Sequence, residues 1–125
     1  KGAWGTDQTA WCMGFVNYSL KMCGYRFVQT ARAFDIRDRT AAFGATQIGD
    51  YKQAKCGDIV LWNFSHVNFV YSNNNGALTF VGGNQANHGR GNNNNPSGGE
   101  VTNSWPGGWT PAKGGIVGIW RPSKA

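Results

Sequence analysis

Apolar and polar positions alternate with two different periods along this chain. Between residues 10 and 23, Cys12, Phe15, Val16, Ser19, Leu20 and Cys23 fall on one side of a 3.6-residue repeat, which predicts a helix facing a core. Asp7 or Thr9 can cap its start, and Gly24 is a natural stop. A second, short helix is expected over 30–35, followed by a loop rich in charge and glycine to about 56. The period then shortens. Segments 58–62, 66–72 and 77–81 are brief runs rich in Val, Ile, Phe and Trp, separated by turn residues, the pattern of strands. Asn73-Asn74-Asn75-Gly76 reads as a hairpin turn between two of them. Residues 86–99 (ANHGRGNNNNPSGG) carry too little apolar surface for a core and read as a mobile surface loop or insertion. Two further strands are expected over 100–105 and 115–121. Helices first and antiparallel strands after them imply an α+β domain, with the N-terminal helix packed on an antiparallel sheet of about five strands. No internal repeat is visible.

Composition narrows this picture without changing it. A chain of 125 residues has room for one core, so residues 1–125 are read as one domain. No apolar run approaches the roughly 20 residues needed to span a bilayer. The chain starts at Lys1 without a visible signal peptide, which is read as a processed, truncated or excised domain. The net charge of +6 comes from scattered Lys and Arg, which suits an extended anionic surface such as a bacterial wall or nucleic acid, or simply solubility. No helix-turn-helix or aromatic RNA motif accompanies that charge, so nucleic acid is not an expected partner. Three cysteines, Cys12, Cys23 and Cys56, leave at least one thiol free, and no CxxC spacing points to zinc. A Cys23–Cys56 disulfide and three reduced thiols both remain open.

The candidate chemistry sits at element starts. Cys12, placed in the first turn of its helix, would have its thiolate stabilised by unpaired backbone N–H groups and the positive end of the helix dipole. Those N–H groups can also stabilise an oxyanion. A buried structural cysteine is the commoner fate of a free thiol. His66 opens a strand on which Val67, Phe69 and Tyr71 differ in face from His66, Asn68 and Val70. From there an imidazole can point toward a helix end and accept a thiol proton. The other histidine, His88, falls in the asparagine-rich stretch and is a poor candidate. Asn84, after a strand and two glycines, can orient an imidazole without adding charge, with Gln85 the neighbouring alternative. Each reading competes with an ordinary core histidine or turn asparagine.

Taken in order, Trp11-Cys12-Met13-Gly14-Phe15-Val16-Asn17, Gly57-Asp58-Ile59-Val60, Ser65-His66-Val67 and Gly82-Gly83-Asn84-Gln85 resemble the motifs of NlpC-type and CHAP-type cell-wall cysteine hydrolases. The ending, Val101 to Pro106 and then Ile119-Trp120-Arg121-Pro122, resembles small phage-associated members, so the likeness runs from about residue 8 to 122. The resemblance implies a papain-like fold and hydrolysis of peptidoglycan amide bonds, by an endopeptidase or an N-acetylmuramoyl-L-alanine amidase. It implies Cys12 as nucleophile, His66 as general base and Asn84 as the residue orienting it, with Asp58 structural and no metal or organic cofactor. Trp11, Trp62 and Asn68 are then expected to line the substrate groove. Asn68 departs from the family, which often has glycine there, and so does the insertion at 87–99. The implied partner is peptidoglycan, met by a monomer without membrane insertion, after secretion or delivery to a target cell's periplasm or wall. A phage lysin and an antibacterial effector domain both fit, the latter implying an immunity protein in the cleft. Alternatives are a non-catalytic wall- or glycan-binding module and a cysteine-dependent protein acyltransferase or deamidase.

Overall fold

A computed structural model describes residues 8–82, 101–102 and 108–125, with side chains from Cys12 to Gly82 and from Gly108 onward. The helix α1 spans Gln8–Met22. It begins two residues earlier than its apolar spacing suggests and ends two residues before Gly24, whose φ of 81° is open to glycine at little cost. Two four-residue helices follow, α2 at Asp35–Asp38 and α3 at Thr40–Phe43. The short helix expected over 30–35 is therefore displaced toward the C-terminus. The reason is local: the Thr30 hydroxyl donates to Asp35 (2.6 Å) and accepts from the Arg32 amide (3.1 Å), closing a turn in place of a helix.

The strands among the described residues join one antiparallel sheet, ordered β1-β6-β2-β3-β4-β5. They are β1 Thr46–Ile48, β2 Ile59–Trp62, β3 His66–Asn74, β4 Ala77–Val81, β5 Val101–Thr102 and β6 Ile116–Arg121. The α+β class is thus as expected. The sheet gains one strand, β1, from the stretch read as loop: Thr46, Gln47 and Ile48 pair with Arg121, Trp120 and Ile119. The hairpin turn between β3 and β4 falls where the sequence puts it. Asn75 and Gly76 both have positive φ (55° and 93°), as a type I′ turn requires, and the Gly76 amide donates to Asn73 Oδ1 (2.7 Å).

Alternation along the central strands gives the sheet two apolar faces. On one, Ile59, Leu61, Val67 and Trp120 meet Cys12, Met13, Val16 and Leu20 of α1. Phe69 on that face also packs edge-on against Phe15 (6.1 Å between centroids). On the other, Val60, Trp62, Val70, Leu78, Phe80 and Ile119 form a second cluster with Trp109. Each fully buried Val, Leu or Ile contributes about 1.5–3 kcal/mol relative to exposure, so the sheet is held from both sides.

The turn at 30–39 carries a charge network that makes stability depend on acid. Asp38 receives Arg37 (2.7 Å) and Arg32 (2.8 Å), and the Arg37 hydrogen bond holds its carboxyl at about 2 against an ordinary 3.8. At Asp35, burial pushes the carboxyl up, but hydrogen bonds from Thr30 and Arg32 outweigh it and leave it lowered. A depressed carboxylate stabilises above its unfolded value and loses that contribution as pH falls through its folded one. The urea midpoint should therefore be flat between about pH 5 and 7 and drop from pH 3.8 toward about 2. Asp38→Asn should flatten part of that drop; an unchanged profile would remove Asp38 from the account.

Candidate active site

Cys12 is the fifth residue of α1, one position past the helix start's four unpaired N–H groups rather than among them, because the helix begins at Gln8. Its side chain is fully buried. Its sulfur has a defined partner: the Val67 N–H donates to Cys12 Sγ at 3.4 Å. The topology explains why that donor is available. The ladder between β3 and β4 ends with Phe69 opposite Val81, so it does not reach Val67. The start of α1 delivers its sulfur to this stretch of β3, beyond the end of the β4 ladder.

Val67 follows His66, and an amide nitrogen lies about 2.4 Å from the preceding Cα. Cys12 Sγ is accordingly within about 6 Å of His66 Cα, adding the two lengths. The histidine is half-buried, and its ring stacks on Phe64, with centroids 5.7 Å apart and planes within 9°. Phe64 sits at the tip of the three-residue turn between β2 and β3, where Ser65 takes a left-handed φ of 66°. The strand alternation is the one expected: Val67 and Phe69 face α1, while His66 lies opposite Trp62, a member of the second cluster. The peptide that His66 shares with Val67 is thus held near the sulfur.

The remaining candidates separate. Asn84, Gln85 and His88 lie outside the described residues, and so does the side chain of Trp11, whose backbone is in the first turns of α1. Trp62 and Asn68, expected to line a groove, are instead interior, at 2% and 4% exposure. Trp62 Nε1 donates to Asn68 Oδ1 at 2.9 Å, so the asparagine serves to satisfy a buried indole. The ring of Trp62 also meets Phe80 at 5.0 Å and Trp109 at 6.4 Å. Cys23 and Cys56 are free, exposed thiols, so the open choice between a disulfide and reduced thiols falls to the second. Both line a depression of about 440 Å³ beside the C-terminal end of α1, away from Cys12.

Asp58, which precedes β2, is tied to the last strand. It is 2% exposed and accepts two hydrogen bonds from Arg121, from Nε at 2.9 Å and from a terminal nitrogen at 2.7 Å. The Lys55 amide supplies a third (2.8 Å). The aspartate in turn raises the guanidinium's affinity for its proton. The Gly-Asp turn and the Trp-Arg-Pro ending, widely separated in sequence, are therefore one interaction that locks β2 to β6. The sequence singled out both segments without showing that they meet.

Among the described residues, no group of three or more His, Cys, Asp or Glu could hold a metal ion, and no helix is long and apolar enough to cross a membrane. Comparison of the chain with protein families, curated proteins and solved structures finds no match.

Proposed function

We propose that this chain is a papain-like cysteine hydrolase that cleaves amide bonds in bacterial peptidoglycan. The observation that carries the proposal is the hydrogen bond from Val67 N–H to Cys12 Sγ, which holds the sulfur beside the backbone of His66. In the proposed reaction His66 takes the Cys12 thiol proton, and the thiolate sulfur attacks the carbonyl carbon of the scissile amide. The C–N bond breaks, the imidazolium gives its proton to the leaving amine, and a thioester remains. Water, deprotonated by His66, then cleaves the thioester and restores the thiol. The proposed role of Asn84 is to hold the imidazole tautomer, and none of these steps requires a cofactor. The setting proposed is secreted or delivered, as a phage lysin or an antibacterial effector whose immunity protein would cover the cleft.

Full burial of Cys12 favours a second reading, in which the thiol is a core residue of a non-catalytic wall-binding module. Alkylation separates the two, provided the exposed thiols are removed first. In a Cys23→Ser/Cys56→Ser background, iodoacetamide should inactivate release of peptide fragments from purified peptidoglycan in step with Cys12 modification. Mass spectrometry follows both. Wall binding without fragment release, unaffected by alkylation, would establish the module and end the hydrolase reading.

A further inference from the structure

The turn between β2 and β3, Asn63-Phe64-Ser65, carries an aromatic side chain that the core does not use. Phe64 is 64% exposed and belongs to neither apolar cluster. Its backbone is nevertheless held from both sides. The Asn63 amide donates to the Gly115 carbonyl (2.8 Å) and the Ser65 amide to the Trp62 carbonyl (3.1 Å). Ser65 turns the chain with a φ of 66°, a left-handed conformation that few residues besides glycine and asparagine adopt. Such backbone persists where surrounding contacts over-determine it, and it clusters at functional sites.

What this turn holds is a row of rings, Trp62, Phe64 and His66. Trp62 and Phe64 lie 6.0 Å apart between centroids with planes tilted by 37°, and Phe64 and His66 lie 5.7 Å apart with planes within 9°. The inner end of the row is anchored, because Trp62 is buried and its indole N–H is tied to Asn68. The outer contact sets the plane of the imidazole. Both imidazole nitrogens donate or accept within that plane, so setting it also sets the directions along which a proton can leave or arrive.

We propose that Phe64 is a positioning residue that holds the His66 imidazole in the plane its proton transfers require, a role that rests on the hydrolase proposal and adds a residue to its site. A hydrogen bond to one nitrogen, the role proposed for Asn84, leaves the ring able to pivot about that bond. A stack on the ring's face removes the pivot. It also leaves the ring's edge, where both nitrogens sit, uncovered by Phe64, so the base is restrained and its proton exchange is not obstructed. A contact of this kind acts on orientation rather than on substrate affinity, so its loss belongs in kcat and not in KM.

The test compares Phe64→Ala, Phe64→Leu and Phe64→Tyr with the unsubstituted chain on soluble peptidoglycan fragments. Phe64→Ala is expected to lower kcat at least about fivefold with KM unchanged, a ratio equal to about 1 kcal/mol and of the order of one stacked aromatic pair. Phe64→Leu, apolar but not planar, should lose as much. Phe64→Tyr, which keeps the ring, should stay within about twofold of the unsubstituted kcat. The thermal midpoint should hold in all three, because the side chain is mostly exposed. A second readout needs no turnover. The chain has two histidines, so in a His88→Gln background the ring-proton signals of His66 stand alone. They should lie upfield, in the ring current of Phe64, and move downfield in Phe64→Ala. Undiminished kcat in Phe64→Ala, a change confined to KM, equal losses in Phe64→Ala and Phe64→Tyr, or His66 signals that do not move would each overturn the proposal. Fragment release by the unsubstituted chain with undiminished kcat in Phe64→Ala removes only the role of Phe64. No release by the unsubstituted chain removes the hydrolase reading and this role with it.

Discussion

Cys12→Ser is expected to lower the release of peptide fragments from purified peptidoglycan by at least about 10³-fold while leaving the fold in place. Serine keeps an acceptor for the Val67 N–H and nearly the volume of cysteine in a fully buried position. What it loses is ionisation: an alkoxide beside His66 is far harder to form than a thiolate. Cys12→Ala should be equally inactive but less stable, by about 1–2 kcal/mol, because the Val67 amide is then buried without an acceptor. The pair of variants therefore separates chemistry from packing. If the two differ in stability and are both inactive, the sulfur is needed for more than filling space. Fragment release at the unsubstituted rate by either variant would dismiss Cys12 as nucleophile.

The reach of the sequence into this result follows from which forces act locally. The helix and the strands of the central sheet were legible because apolar spacing reports directly on which face is buried, and Asn75-Gly76 reported its turn through backbone sterics alone. β1 was not legible. Thr46 and Gln47 are exposed and carry no periodic signal; their strand exists because β6 offers an edge to pair with. The displaced second helix failed for a related reason, since Thr30 spends its hydroxyl on Asp35 and fixes a turn that propensity does not foresee.

At the candidate site the same division holds. The ordered motifs point to Cys12 and His66 as neighbours, and the structure puts the amide of Val67, the residue after His66, on Cys12 Sγ. Motif spacing could not reveal that Trp62 and Asn68 satisfy each other in the interior, because a hydrogen bond across two strands depends on register.

Arg121→Met is expected to be the most destabilising single change outside the apolar clusters, at about 3–5 kcal/mol. The argument turns on asymmetry within the pair. Asp58 is 2% exposed, while the Arg121 side chain keeps 36% of its surface, so removing the arginine strands a buried carboxylate. Only the Lys55 amide would then remain on that carboxylate from the hydrogen bonds described above. Asp58→Asn, by contrast, leaves a half-solvated guanidinium and a neutral amide, and should cost less. Combining the two substitutions should recover part of the loss, because the stranded charge is gone. Urea unfolding of the two single variants and the double variant measures every term. Strict additivity of the two substitutions would mean that β2 and β6 are held together by their ladder and packing alone.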